Sequence, residues 1–417
     1  MKKILILLFL VFFQFGYSQT RNLNKEIDSL LLKGRYQLAL KKLKSLEPTY
    51  TSYAKIANIY YQVDKTKLAI VYYKKSLDLD SVYSTKVQLG KAYQKVKKYD
   101  EAISIYKDIV EKDSLNLLLK YQLGKIYLIK RKATLAVETF QELYDLDATN
   151  ANYSYQKGIG YAMKKQRNKM IGSFLEAYKT DSTHMKSINQ LATSFAKLGD
   201  KDSTFLFINK GLSLEPNHFS LNKTKINQLY KEEKYDEVLP VLIRLDTVYR
   251  NRVSVIDMLG RVYFSMGDFE KSKKEFERSI KIERRNFKTH TYLGHVAMKM
   301  ENYKQASMSY MMAVVFATEK LDEEYYGLGY VNLKLKKPKK AISMFDKAYK
   351  ANRDNHKALY QLAKTSDDFY IEKKQVYKYF REYLLYFDEV DKDLTAYAQK
   401  RVKEIKKDYF LLGKKIE

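Results

Sequence analysis

The chain has 417 residues, with 15 glycines, 4 prolines and no cysteine, and a net charge of +28. The lack of cysteine excludes disulfides, thiolate metal sites, a cysteine nucleophile and an acylated N-terminal cysteine, and so few Gly and Pro leave little turn chemistry for a β-rich fold. With 45% hydrophobic and 30% charged residues there is enough apolar side chain for a packed structure, and the positive balance favours an anionic partner or surface without naming one.

Lys2 and Lys3 precede an unbroken apolar run, Ile4 to Phe13, and Gly16 and Ser18 stand at positions −3 and −1 of a cut before Gln19. That layout predicts a secretory signal peptide over residues 1–18; the run is too short to cross about 30 Å of hydrocarbon as a stable helix. Removing the two lysines takes the net charge from +28 to +26. The expectation is an exported bacterial protein, periplasmic or else extracellular, which argues against a nucleic-acid partner.

Residues 22–48 read as an N-terminal cap, with Ile27, Leu30 and Leu31 on one helix and Tyr36 and Ala39 opening a second. A single register then runs along the chain. Leu89-Gly90, Leu123-Gly124 and Gly158 are spaced by 34, as are Leu259-Gly260 and Leu293-Gly294, and Gly329 follows after 35. Ala57, Ala192, Ile226 and Ala363 hold the same phase, giving anchors near 57, 90, 124, 158, 192, 226, 260, 294, 329 and 363. Three residues past the anchor an aromatic recurs (Tyr60, Tyr93, Tyr127, Tyr161, Phe195, Tyr263). Twelve past it stands Ala (Ala69, Ala102, Ala136, Ala306, Ala341), and sixteen past it a large apolar residue (Tyr73, Tyr106, Phe140, Phe174, Leu242, Phe276, Tyr310, Phe345).

Each period carries two apolar stripes at helical spacing around a short polar turn, which predicts a helix pair. Small residues let two helices approach to about 8–10 Å, so the anchor and the Ala twelve later are expected where backbones meet. One hairpin cannot bury both its faces, so the hairpins must stack. From Asp391 to about residue 412, Leu394, Tyr397, Ala398, Val402, Ile405 and Tyr409 form one stripe, as a terminal capping helix requires. No linker composition interrupts residues 19–417, so a single domain is expected.

In period and in the order Leu-Gly, Tyr, Ala, Phe or Tyr, the chain resembles the tetratricopeptide repeat family. The family's Trp is absent, and Asn332 and Ser366 replace the aromatic, so the last two units are expected to be irregular. The resemblance implies an all-α, right-handed α-solenoid of about ten to eleven stacked helix–turn–helix units, with a concave groove that binds peptides or protein surfaces. It also implies that first helices line the groove. On that basis the candidate groove residues are Gln88, Lys91, Tyr121, Gln122, Lys125, Tyr155, Gln156, Asn189, Gln190, Lys223 and Asn227. A Gln series one repeat apart offers donors and acceptors to an extended backbone, and interleaved Tyr and Lys add contact area and attraction for an acidic protein or peptide partner. The family's Lys/Asn clamp for a C-terminal carboxylate is not expected, because Met258 stands where an Asn is needed.

The turns inside hairpins carry Lys97-Lys98, Lys130-Arg131-Lys132, Lys164-Lys165 and Lys336-Lys337, a basic edge. It reads as helix-end compensation, or as a surface for peripheral contact with anionic membrane lipid or glycan. Asp78, Asp80, Asp113, Asp145, Asp147 and Asp181 fall between hairpins, where capping of the following helix is expected. Asp367-Asp368, at a helix end, is likewise expected to cap rather than to serve acid–base catalysis. No phosphate-binding loop follows a strand. His184 and His218, one period apart, cannot share a metal whose ligand bonds are near 2 Å. No nucleophile, base and orienting group can be assembled, so neither a cofactor nor catalysis is expected.

Overall fold

The computed structural model describes residues 23–317 and 321–416; the expected signal segment lies outside them. Among the described residues the chain is all helix and turn, without strands. It falls into two compact units, residues 1–214 and 215–417, taken separately below.

The first unit holds six hairpins: α1 (23–32) with α2 (Tyr36–Lys44), α3 (Tyr50–Gln62) with α4 (Thr66–Leu79), α5 (Tyr83–Lys95) with α6 (Tyr99–Lys112), α7 (Leu117–Ile129) with α8 (Ala133–Leu146), α9 (Ala151–Met163) with α10 (Arg167–Thr180), and α11 (Met185–Leu198) with α12 (Lys201–Leu214). The second holds five: α13 (Phe219–Lys231) with α14 (Tyr235–Val248), α15 (Val253–Ser265) with α16 (Phe269–Ile282), α17 (Phe287–Lys299) with α18 (Tyr303–Phe316), α19 (Asp322–Lys334) with α20 (Pro338–Ala351), and α21 (His356–Phe369) with α22 (Lys374–Phe387). The capping helix α23 (Lys392–Leu411) completes it, with Asp391 accepting the Leu394 N–H at 3.1 Å. No described helix is long and apolar enough to cross a membrane. The first hairpin keeps the repeat register: Ile27, Ala39 and Leu43, the anchor and its partners twelve and sixteen later, are buried.

The anchor does something more specific than bring two backbones together. A Cβ placed on Gly124 would meet the Phe140 ring at 2.8 Å, and one on Gly260 the Phe276 ring at 2.7 Å. The same holds between Gly158 and Phe174, Gly294 and Tyr310. The missing side chain is the seat of the ring sixteen residues later, which lies on the second helix of the same hairpin and is almost fully buried. Where the anchor is Ile226 the partner shrinks to Leu242, both buried, so the pair conserves volume.

The turn between paired helices is equally regular. Seven residues past the anchor the backbone is left-handed, at Asp64, Lys97, Arg131, Lys165, Gly199, Glu233, Gly267, Glu301 and Lys336. In the α7–α8 turn Lys132 N–H bonds Tyr127 O at 2.8 Å and Arg131 N–H bonds Leu128 O at 3.0 Å, the pair of bonds that closes a helix with a left-handed residue. The expected irregularity is confined to the last hairpin. Despite Asn332, α19 and α20 keep the pattern, whereas α21 ends on Tyr370 in extended conformation and the turn lengthens. The buried ring is then Phe380, one place beyond the register.

The aspartates between hairpins do not cap the following helix. Asp80, Asp113, Asp147 and Asp181 close the preceding one, and Asp147 and Asp181 accept from Thr149 and Thr183 N–H at 3.0 and 2.8 Å. The first helices with a side-chain N-cap start on Thr49, Asn116, Asn150, Asn286, Asn355 and the two histidines one period apart. Both His184 and His218 accept a backbone N–H on Nδ1 at 3.3 Å. An acceptor is needed there more than an acid, since four amides are left open at each helix start.

Candidate interaction surface

Within the first unit, first helices touch side by side, α7 against α9. This brings positions two and three before the anchor of successive hairpins together. Gln156 Nε2 donates to Tyr121 Oη at 3.3 Å, and Gln190 is hydrogen-bonded to Tyr155. Each glutamine is thus tied to the tyrosine of the hairpin before it. Tyr121 stands edge-on to the buried Phe140 at 5.7 Å, and Tyr155 packs between Phe174 and His184 at 5.6 and 5.4 Å. Burial raises the Tyr155 phenol above its ordinary pKa, partly opposed by Gln190. Part of the hydrogen-bonding capacity of the Gln series is therefore already used inside the protein.

The remainder is open. Gln88, Lys91 and Gln122 are half-buried and make no side-chain hydrogen bond or ion pair among the described residues. Lys125 lies over the Tyr121 ring at 5.9 Å and has no carboxylate partner there. Asn189 Oδ1 is buried without a donor. The face thus combines half-buried tyrosine rings with two uncompensated ammonium groups. Lys223 and Asn227, predicted with these residues, belong to the second unit, where both side chains are exposed.

All nine basic-edge residues are exposed. Some are compensated: Lys130 pairs with Asp100 at 2.9 Å and Lys98 with Glu101 at 3.5 Å, and Lys164 donates to Thr134 at 3.2 Å. Lys97, Arg131, Lys165 and Lys336 occupy the left-handed turn positions, where the backbone throws them outward.

Two buried ionic clusters escaped sequence reasoning. Lys157, on α9, is buried and reaches Glu176 at 2.7 Å, with Ser154 donating to the same oxygen at 2.7 Å. Asp367 is buried at the end of α21 and gathers Arg401 Nε at 2.7 Å, Arg401 Nη2 at 3.0 Å and Lys373 Nζ at 3.2 Å. It is not a cap but the tie between the last hairpin and α23. The first cluster falls on recurring positions, four before and eighteen after the anchor, which Lys86–Asp108 and Lys120–Glu142 fill with ion pairs at 3.0 Å in the two preceding hairpins; the Asp367 cluster has no such counterpart. In the second unit, Arg261 on α15 lies between the rings of Tyr230 and Tyr292, 5.1 and 5.5 Å from their centroids.

A tetratricopeptide-repeat family model matches residues 50–83, 253–286 and 325–355, and another matches 87–151. These segments are tetratricopeptide repeats. They coincide with α3–α4, α15–α16, α19–α20 and α5–α8. Among solved structures the chain is similar to yeast Tom70, at 13% identity and a TM-score of 0.45, covering 94% of this chain and 97% of that one. It is also similar to YrrB, described as a TPR protein with an unusual peptide-binding site, at 20% identity, TM-score 0.37, covering 46% and 97%. MamA from Desulfovibrio magneticus matches at 17% identity, TM-score 0.38, covering 42% and 99%. No curated protein matches the chain.

Proposed function

We propose that this chain is a non-catalytic adaptor of the bacterial cell envelope that holds an acidic segment of a partner protein against the first helices of its first unit. Tetratricopeptide-repeat proteins bind protein or peptide partners in general. The observation that carries the acidic preference is the pair Lys91 and Lys125, both half-buried and without a carboxylate partner among the described residues, with Lys125 over the Tyr121 ring. A half-buried ammonium attracts an acid more strongly than a solvated one, because the local dielectric is lower. The envelope location rests on the apolar run Ile4 to Phe13 with Gly16 and Ser18, and predicts an exported form starting at Gln19.

The test is a titration of a partner captured from envelope extract. Lys91→Glu with Lys125→Glu should abolish binding while Lys130→Glu with Lys132→Glu leaves it intact. The reverse outcome, with affinity falling steeply in salt, would favour the second reading. In that reading the outward-thrown Lys97, Arg131 and Lys165 contact an anionic lipid or glycan, and the attraction is screened within about 8 Å.

A further inference from the structure

We infer that Arg261 is the centre of a second binding site, in the unit formed by residues 215–417, that takes the carboxylate of an acidic side chain from a partner polypeptide. The inference does not depend on the reading of the first unit. A half-buried guanidinium ordinarily sits against a carboxylate, and Arg261 has none among the described residues. Its Nε is buried and has no acceptor, an exception that a native structure has to account for.

The neighbouring acids are committed elsewhere. Asp257, one turn earlier on α15, accepts from Thr289 Oγ1 at 3.0 Å and Asn286 Nδ2 at 3.3 Å. Glu323 bonds His295 Nε2 at 2.9 Å, and His295 Nδ1 faces Tyr310 Oη at 2.8 Å. Neither acid makes a hydrogen bond or ion pair to the guanidinium, whose donors stay available to an incoming carboxylate.

The site is also preorganised. Tyr230 is held by Ser265, hydroxyl to hydroxyl at 2.9 Å. Tyr292 is stacked on the buried Phe276, with centroids 5.2 Å apart and planes 9° from parallel. Two fixed rings hold the guanidinium between their faces, so the rotamer freedom that a free arginine loses on binding is already spent. A clamped planar cation suits a carboxylate, which it can meet with two parallel hydrogen bonds. A chain terminus would need further donors converging on it. Met258 and the ring of Tyr292, two residues before the next anchor, offer no such donors toward one.

The experiment uses the full chain and three dye-labelled peptides read by anisotropy. One alternates Glu and Ala with both ends blocked, one replaces every Glu by Gln, and one is all Ala with a free C-terminus. Because the protein carries +28 overall, a charge-matched control is needed, and Lys336→Gln at an exposed turn supplies it. The blocked Glu peptide should bind, Arg261→Gln should weaken it about thirtyfold, and Lys336→Gln should leave it within about twofold. Arg261→Lys keeps the charge but loses the planar fork, and should still cost about tenfold. Equal weakening by Arg261→Gln and Lys336→Gln, equal binding of the Gln peptide, or binding of the free C-terminus alone would each overturn the proposal. Melting curves accompany the series; should Arg261→Gln fail to fold, the Arg261→Lys comparison decides.

Discussion

The hairpins from α5 to α10 and the end formed by α21, α22 and α23 solve the same packing problem differently. In the former each glycine anchor receives one ring from sixteen residues later, and a left-handed residue closes the turn. In the latter the turn is longer, the ring slips to Phe380, and a buried carboxylate with two cations does the joining. Apolar packing repeats because any hairpin can stack on any other. The lysine–acid pairs of α5 to α10 join the two helices of one hairpin; of these ties, that of Asp367 alone fastens a hairpin to the capping helix, and it specifies which helix ends the stack.

Breaking that tie should have the largest effect. Removing one partner of a buried ion pair costs about 3–5 kcal/mol, because the other charge stays uncompensated. Asp367→Ala should lower the urea midpoint accordingly and strip hydrogen-exchange protection from α23 first. Burial alone would raise the Asp367 carboxyl; Arg401 and Lys373 outweigh it and hold it below its ordinary value. A depressed folded pKa means stability present above the unfolded value of about 3.9 and lost as the pH falls through the folded one. The gap between wild type and Asp367→Asn should therefore close in acid. Uniform loss of protection across the second unit would show that α23 is no separate lock.

The interior solution breaks at its glycines. Gly260→Leu drives a side chain into Phe276, and overpacking should cost about 3 kcal/mol. Gly260→Ile combined with Phe276→Leu copies the pair Ile226 and Leu242 and should recover most of it. Gly172, which has open space around its Cβ position, should gain up to about 1 kcal/mol on change to Ala, from helix propensity. Destabilisation at Gly172 equal to that at Gly260 would refute the ring-seat account.

This contrast also explains what the sequence reveals. The spacing from Gly124 to Phe140 is fixed by helix geometry, so it recurs and can be read without a structure. The lengthened turn after Phe369 shifts the register by one, and nothing in a period marks the shift. The Asp367–Arg401 tie spans 34 residues of sequence, but with no second copy it leaves no pattern. On the candidate surface, Tyr121 and Gln156 were legible as positions on one face. Their mutual hydrogen bond was not, because it depends on how one hairpin leans on the next.

Smaller effects sharpen the account of helix starts. His184→Ala and His218→Ala each remove an N-cap acceptor and should cost about 1 kcal/mol, more than a solvated surface histidine would. Burial lowers the His184 pKa, with Asp181 opposing. The neutral ring that accepts the Ser187 N–H is the form favoured by folding. The His184 contribution should be complete above the unfolded value of about 6.5 and fade as the pH falls through the lower folded one. Thermal melts of His184→Ala and wild type that stay parallel from pH 8 to 5 would remove the cap assignment.

The smallest effect separates backbone from charge at the turns. A non-glycine residue in the left-handed region is strained by about 1 kcal/mol, less whatever glycine loses through its freer unfolded chain. Arg131→Gly and Glu301→Gly, at equivalent turns with φ of 56° and 59°, should each raise stability by roughly 0.5 kcal/mol. One change removes a positive charge from a basic protein and the other a negative one, so their agreement in sign assigns the gain to the backbone. Opposite signs would assign it to relief of repulsion and make the basic edge a strained electrostatic feature. Tyr370, extended at φ −92° and ψ 134°, is the matching control in the last hairpin. There glycine relieves nothing and only adds unfolded-state entropy, so Tyr370→Gly should lower stability, and a gain would show that the last turn obeys the same rule as the others.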